Sequence, residues 1–368
     1  MTLYDFAEET YNHLDEYGLQ LNESESNLIK NYTFKELMDN ENKCLNLIQS
    51  MFEFKSEAPI ENKDRASHIL ITWLLGIGFS RHLKISDYRL GLERLFYSRL
   101  WLKSSILHDY GYFRNERKEE KLPLESIVKK YNLLTDTYDD PFKSLNNLSK
   151  NQEVSHLFTY TYDEVKNYYK YSQWYHKEYD KGGNEKNDHG IVGGCIAFRK
   201  YCEEVKKSAI DQNGVIMQIQ KLACFITASH NIFKSCKIEK DKKYKEYQLY
   251  RLLSAEQPLV TEKNSILLLL SLVDTIECTK AFSKTKNPET YLIQRTTLEK
   301  VDVFSSKSSI TVDFSNLYTF IVKERESNKY LLDALEDHIK GVKSLPSWTT
   351  WRTDKKGDYI IEIFPPKK

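Results

Sequence analysis

Glycine and proline are scarce in this chain, 13 and 8 among 368 residues. That is too little punctuation for many short strands, so long helices are expected to dominate. No Cys-x-x-Cys pair occurs among the six cysteines, Cys44, Cys195, Cys202, Cys224, Cys236 and Cys278, which are scattered through segments that read as helix. Reduced cytosolic thiols are the simplest expectation. Charge of one sign is also missing: 54 Lys and Arg face 53 Asp and Glu, a net +1. Nothing therefore steers the whole protein to duplex nucleic acid or to an acidic membrane. The longest apolar run, residues 266–273, is far too short to span a bilayer, and residues 1–10 carry acids where a signal peptide has bases. A cytoplasmic protein is expected.

What is present suits a soluble, helix-rich globular protein: 40% hydrophobic residues to fill a core and 29% charged residues to cover it. Tyrosine is abundant, with 25 Tyr beside 17 Phe. A tyrosine can stack on a base while its hydroxyl makes a hydrogen bond.

Residues 1–60 carry apolar side chains at helical spacing (Leu28, Tyr32, Leu37; Leu45, Leu47, Ile48, Phe52), which predicts an N-terminal cap of two or three amphipathic helices. Asp64 stands where it can cap a helix with His68, Ile71, Thr72 and Leu75 on neighbouring turns. A second long helix is expected over 88–108, with Leu92, Leu95, Phe96, Leu100, Leu102, Ile106 and Leu107 largely buried and Gly111 just past its end. Residues 112–187 differ in character. Rich in Lys, Glu, Asn and Tyr, and broken by Pro123, Pro141 and Gly182-Gly183, they are expected to be an insertion whose aromatics pack on the domain or wall a site.

After His189, the residues Gly193, Gly194 and Ala197 allow close approach of a neighbouring helix. A helix over 216–230 follows, and residues 265–282 are the most apolar stretch, with Asp274 in the middle. Beyond about residue 288 the period changes to alternation. Hairpins over 299–304 with 309–314 and over 349–352 with 359–364, and a helix near 330–342 between them, predict a small ββαββ unit. The expected organisation is mainly α: a cap at 1–60, a helical domain at 61–286 with its insertion at about 112–187, and a C-terminal α+β unit at 287–368.

The chemistry lies in an ordered series, His68, His108-Asp109, His189, His230 and Asp274. Imidazole nitrogens and carboxylate oxygens are the ligands that Mn²⁺, Fe²⁺, Co²⁺, Ni²⁺ or Zn²⁺ accept. A lone helical histidine is more often structural than a ligand. Neighbours on a regular helix point about 100° apart, so His108 and Asp109 can reach one ion only where the helix ends, a place that Gly111 marks. Asp274 carries more weight. An acid in so apolar a segment loses several kcal/mol on burial unless it meets a cation of the same core, such as Arg65 or Lys103, or a metal. Four histidines and two aspartates suffice for two ions. An acid such as Asp109 can bridge metals roughly 3.5 to 4 Å apart, with water between them as a nucleophile for phosphoryl transfer. His82 competes with His68, but it follows Arg81 at the polar end of its helix, so His68 is preferred. His13, His156, His176 and His338 lie in polar surroundings and read as surface residues.

Over about residues 62–285 the series resembles the HD superfamily of metal-dependent phosphohydrolases, whose signature is His, His-Asp, Asp with extra histidines in two-metal members. Arg65 ahead of His68 resembles the Arg-x-x-His opening of several HD families. The form Leu-His-Asp-Tyr-Gly-Tyr with a later Asp-His-Gly is similar to HD domains of microbial conflict systems. The resemblance implies an HD-type helical bundle in which His68, His108, Asp109 and Asp274 hold one metal. It further implies that His189 and His230 hold a second, with Asp109 as the bridge. The cofactors implied are two divalent ions drawn from Mn, Fe, Ni, Co, Mg or Zn. Tyr112 departs from the pattern, because many HD families place Lys there to hold a phosphate. Tyr112 can still donate a hydrogen bond, and Arg65, Lys234 and Lys280 are alternative cations.

The expected activity is hydrolysis of phosphoester bonds in a nucleotide or a small cyclic or linear oligonucleotide by metal-activated water. Asp109, Arg65, Tyr112 and Lys234 are the expected catalytic groups, and a nucleotide-type small molecule is the expected partner. A metal-dependent single-strand nuclease is a second option. It needs a basic groove, whereas residues 114–121 and 237–245 mix signs as solvated loops do. The third is a non-enzymatic nucleotide-sensing module, against which the retention of all six candidate ligands argues.

Overall fold

The computed structural model describes residues 1–14, 23–51, 64–83, 92–111, 265–279, 290–306, 309–323, 349–352 and 359–364, with isolated positions between 189 and 246 and at 333, 335 and 338. The insertion expected at 112–187 lies outside the described residues. The described part is mostly helical, with a small antiparallel sheet near the C-terminus. None of its helices is long and apolar enough to cross a membrane. The chain divides into two compact units, Met1–Ser98 with Leu269–Lys367, and Arg99–Leu268 with the terminal Lys368.

In the first unit four helices precede residue 60, α1 (Leu3–Asn12), α2 (Glu23–Lys30), α3 (Phe34–Asp39) and α4 (Glu41–Met51). The extra one arises because Thr33 opens α3 with a capping box. Its hydroxyl accepts from the Glu36 amide (3.2 Å), and the Glu36 carboxylate accepts from the Thr33 amide (2.9 Å). Thr2 and Asp5 start α1 in the same way. The Tyr11 hydroxyl lies 2.7 Å from the Ile29 carbonyl and 2.9 Å from that of Tyr32, which ties the end of α2 to α1.

α5 (Asp64–His82) packs against α1 and α4. Every residue from 66 to 80 is buried, so α5 is a core helix rather than a one-faced surface helix, and His68 is carried inside with it. Arg81 stands in the last turn of α5, where positive charge suits the carbonyl end of a helix. α6 (Leu92–Leu107) finishes in a turn over 108–111, as Gly111 led one to expect. α7 (Ser265–Ile276) is the apolar helix that holds Asp274.

α8 (Thr290–Glu299) runs further than expected. The Arg295 guanidinium donates to Glu299 one turn on (2.8 Å) and to Asp39 on α3 (2.7 Å), and it sits 5.1 Å from the Tyr4 ring centre. The strand expected from residue 299 therefore starts at 302. Strands β1 (Asp302–Ser305), β2 (Ile310–Asp313), β3 (Thr349–Arg352) and β4 (Ile360–Ile363) form an antiparallel sheet in the order β1-β2-β4-β3. Buried cross-strand pairs Ile310 with Ile363 and Val312 with Ile361 fix its register. The chain start is bound to this sheet: the Leu3 amide donates to Val301 (2.7 Å) and the Val303 amide to Met1 (2.8 Å).

Both hairpins match their expected places, and Asp333, Leu335 and His338 are helical within the expected 330–342 segment. An unforeseen helix, α9 (Ser315–Lys323), follows β2. Its aromatic and β-branched residues favour a strand, but Asp313 accepts from the Ser315 amide (2.8 Å) and burial of Leu317 and Ile321 one turn apart decides for helix.

α1 and α5 meet at Gly78, where an added Cβ would collide with the buried Phe6 ring and lie 2.8 Å from the Thr10 hydroxyl oxygen. Gly78→Ala gains up to about 1 kcal/mol in helix propensity, while overpacking a filled core costs roughly 1–3 kcal/mol. The variant is expected to lose stability, read as a lower urea midpoint at unchanged slope. Burial pushes the Cys44 thiol up to about 12, the Ser67 hydrogen bond offsetting only part of this. Iodoacetamide at pH 8 should leave Cys44 of the native protein unmodified by mass spectrometry and label it once urea unfolds the chain.

Candidate functional site

In the first unit, α5 and α7 bring His68 and Asp274 together. His68 Nε2 lies 3.2 Å from Asp274 Oδ1, and both side chains have no exposure at all. The other ring nitrogen, Nδ1, meets the carboxylate of Glu277, equally buried just past the end of α7. The Glu277 backbone amide continues the α7 ladder to Val273 (2.8 Å), and its Oε1 accepts from the Thr279 amide (2.9 Å). Burial by itself would raise the Glu277 carboxyl. The His68 imidazole and the Thr279 hydrogen bonds outweigh it and hold the group below the usual carboxylate range.

One imidazole carries at most one positive charge, so with both carboxylates ionised this trio is negative. If Nδ1 donates to Glu277 and the ring is neutral, the lone pair on Nε2 faces a second carboxylate, an arrangement that a cation between them relieves. A divalent ion fits the chemistry of that donor pair.

In the second unit a histidine follows a helical turn twice, each time by the same device. His108 Nδ1–H donates to the Ser105 carbonyl three residues back (2.6 Å), and His230 Nδ1–H donates to the Thr227 carbonyl three residues back (2.7 Å). Carbonyls in the last turn of a helix lack an intrahelical partner, and these rings supply one. A carbonyl only accepts, so the proton of each neutral ring sits on Nδ1 and the lone pair is on Nε2.

His189 Nε2 lies 3.2 Å from His230 Nε2 and 3.4 Å from Asp109 Oδ1, and His108 Nε2 is 3.6 Å from the same carboxylate oxygen. One ligand atom from each of Asp109, His189 and His230 falls within 4.8 Å of the others. Two imidazole nitrogens that close need a proton or a cation between them, so this donor set also fits a metal ion. His189 is the most open of the four, its side chain 11% exposed against 2% for Asp109.

Glycines make this second cluster possible. A Cβ on Gly111 would run into the His189 carbonyl oxygen and lie 2.9 Å from the Gly193 amide nitrogen, and one on Gly190 would stand 2.8 Å from the His230 ring. The close approach expected of Gly193 is therefore made to the turn that follows Asp109.

The buried His/Asp groups can thus hold a metal ion. Arg65 is half-buried in the first turn of α5, three residues before His68. Tyr112, Lys234, Lys280, His156 and His176 lie outside the described residues. His82 packs on Phe6, away from the His68 trio, and its imidazole is pushed down by burial and by Arg81. His13 pairs through Nδ1 with the Glu9 carbonyl (2.8 Å), and His338 packs on Phe314. Two residues were missed. Glu277 is a second acid one turn past Asp274, but it stands where the apolar run gives way to polar residues, so the burial argument applied to Asp274 did not reach it. Asn231, whose amide nitrogen lies 3.2 Å from His189 Nε2, carries no sequence signal beyond standing next to His230.

Gly111→Ala forces the backbone at His189 and Gly193 away from the turn that follows Asp109. The expected outcome is Mn²⁺ binding weakened about 10-fold or more in calorimetric titration, with the helical circular dichroism retained. Comparison with protein families, curated proteins and solved structures finds no match to this chain, so the reading of the site stands on its own residues.

Proposed function

We propose that this protein is a metal-dependent phosphohydrolase or phosphodiesterase of the HD type, acting on a nucleotide or on a small cyclic or linear oligonucleotide. The observation that carries the proposal is the pair of buried donor clusters, in which His68, His108 and His230 each have Nδ1 engaged by an acceptor. The mostly helical build and the order of the donors along the chain support it further, as does their resemblance to the HD signature. An HD-type bundle belongs to the same proposal. So does a cytoplasmic setting, supported by the unbridged thiols of Cys44, Cys224 and Cys278.

Bound there, divalent ions stabilise charge on phosphoryl oxygens and make water nucleophilic near neutral pH. The chain's own contribution is orientation and exclusion. Ser105 and Thr227 carbonyls hold the Nδ1 protons and fix two rings, while the Asp109 carboxylate stands between His108 and His189. Burial of these groups keeps bulk water from competing for the donor atoms and strengthens every charge interaction among them. The more exposed His189 is the side on which a substrate phosphate would meet the cluster. The near-neutral net charge favours a small substrate over a polymer.

Elemental analysis of the purified protein should give one to two equivalents of Mn or Fe. A panel of nucleotides and cyclic dinucleotides should reveal hydrolysis that Asp109→Ala reduces to background. Full activity in protein stripped of metal would sink the proposal. Binding of single strands that weakens steeply with salt would move it to the nuclease.

A further inference from the structure

We propose that Glu277 is the positioning residue for His68 as a metal ligand. Its carboxylate accepts the Nδ1–H hydrogen bond and so commits the ring to coordination through Nε2, the nitrogen turned to Asp274. This inference rests on the metal-dependent function proposed above and adds to it a residue outside the His/Asp series.

The geometry carries it in three steps. Glu277 is itself held from two sides, its amide on Val273 (2.8 Å) and its Oε1 on the Thr279 amide (2.9 Å), which leaves Oε2 for His68. All three side chains of the trio are wholly buried, so none of these orientations is set by solvent. The third step separates a positioning role from a plain ion pair. An ion pair between α5 and the end of α7 requires one carboxylate, yet the ring has two, and the second lies 3.2 Å from Nε2. A carboxylate on one imidazole nitrogen with an oxygen donor beside the other is the pattern by which proteins orient a metal-binding histidine and raise its basicity.

The acceptor also differs from those of the other rings. His108 and His230 donate their Nδ1–H hydrogen bonds to neutral carbonyls, while His68 donates its own to a carboxylate. Charge-assisted hydrogen bonds are roughly twice as strong as neutral ones, so His68 is the most firmly committed of the three.

The test compares the full chain with its Glu277→Gln and Glu277→Asp variants by calorimetric titration with Mn²⁺, alongside thermal melts of the metal-free proteins. Glu277→Gln is expected to weaken Mn²⁺ binding about 10- to 100-fold with the fold retained, and Glu277→Asp to recover part of the loss. Unchanged affinity in a folded Glu277→Gln protein overturns the role. Should that variant not fold, long-range ¹H–¹⁵N spectra of the wild-type protein with Zn²⁺ decide. A protonated Nδ1 and a coordinated Nε2 on His68 are expected, and coordination through Nδ1 overturns it. A wild-type protein that binds neither Mn²⁺ nor Zn²⁺ removes the metal-dependent function together with this inference. Binding that is weakened by Asp109→Ala but kept in Glu277→Gln removes the role of Glu277 alone.

Discussion

An ionised carboxylate taken out of water loses several kcal/mol unless a cation or a set of donors meets it. α7 imposes that demand twice, since Asp274 and Glu277 both lack any exposure and the helix around them is built of Leu267, Leu269, Leu270, Leu272, Val273 and Ile276. His68 answers it, and it can do so only because α5 is buried on every side. That burial in turn requires the close fit of α1 at Gly78 and the aromatic contacts of Phe6 with Phe79. The N-terminal helices are thus more than a cover. They supply the packing that places an imidazole between two acids.

The second cluster depends on backbone more than on packing of side chains. His108 and His230 reach their orientations by satisfying carbonyls at the ends of helical turns, so the local geometry of Ser105 and Thr227 sets which nitrogen each ring presents. Helix ends of this polarity favour positive charge, which suits a cation near the Nε2 atoms of these rings. Gly111 and Gly190 then let main chain and ring approach closer than any side chain would allow. A methyl group at either position acts on the cluster without touching a donor atom.

Much of this was legible in the sequence, and the parts that were not share a cause. Helix spacing and the placement of Gly111 predicted α5, α6 and the turn after His108, and alternation predicted both hairpins. Asp274 was legible because an acid in an apolar run conflicts with its neighbours, and such a conflict needs a partner. Glu277 offered the same conflict but lies where the apolar run gives way to polar residues, so its burial was hidden until the chain past Ile276 was seen to stay inside. α9 was hidden for a different reason: Tyr318, Phe320, Ile321 and Val322 favour a strand, and only the Asp313 cap and the burial of Leu317 overrule them. Which nitrogen a ring uses is a matter of hydrogen bonding, on which composition and spacing are silent.

The two clusters also differ in what they offer an ion. Glu277 being taken up by Nδ1, the His68 trio turns one imidazole nitrogen and the Asp274 carboxylate toward an ion, whereas Asp109 stands among three imidazoles. Carboxylates suit Mg²⁺ and Mn²⁺, and imidazoles suit Zn²⁺, Fe²⁺ and Ni²⁺. An ion that serves both clusters must accept either donor set, a condition that borderline ions such as Mn²⁺ and Fe²⁺ meet better than Mg²⁺, which demands oxygen and holds on to its water. On the metal-dependent function proposed above, the donor chemistry therefore favours ions at the middle of the range over Mg²⁺.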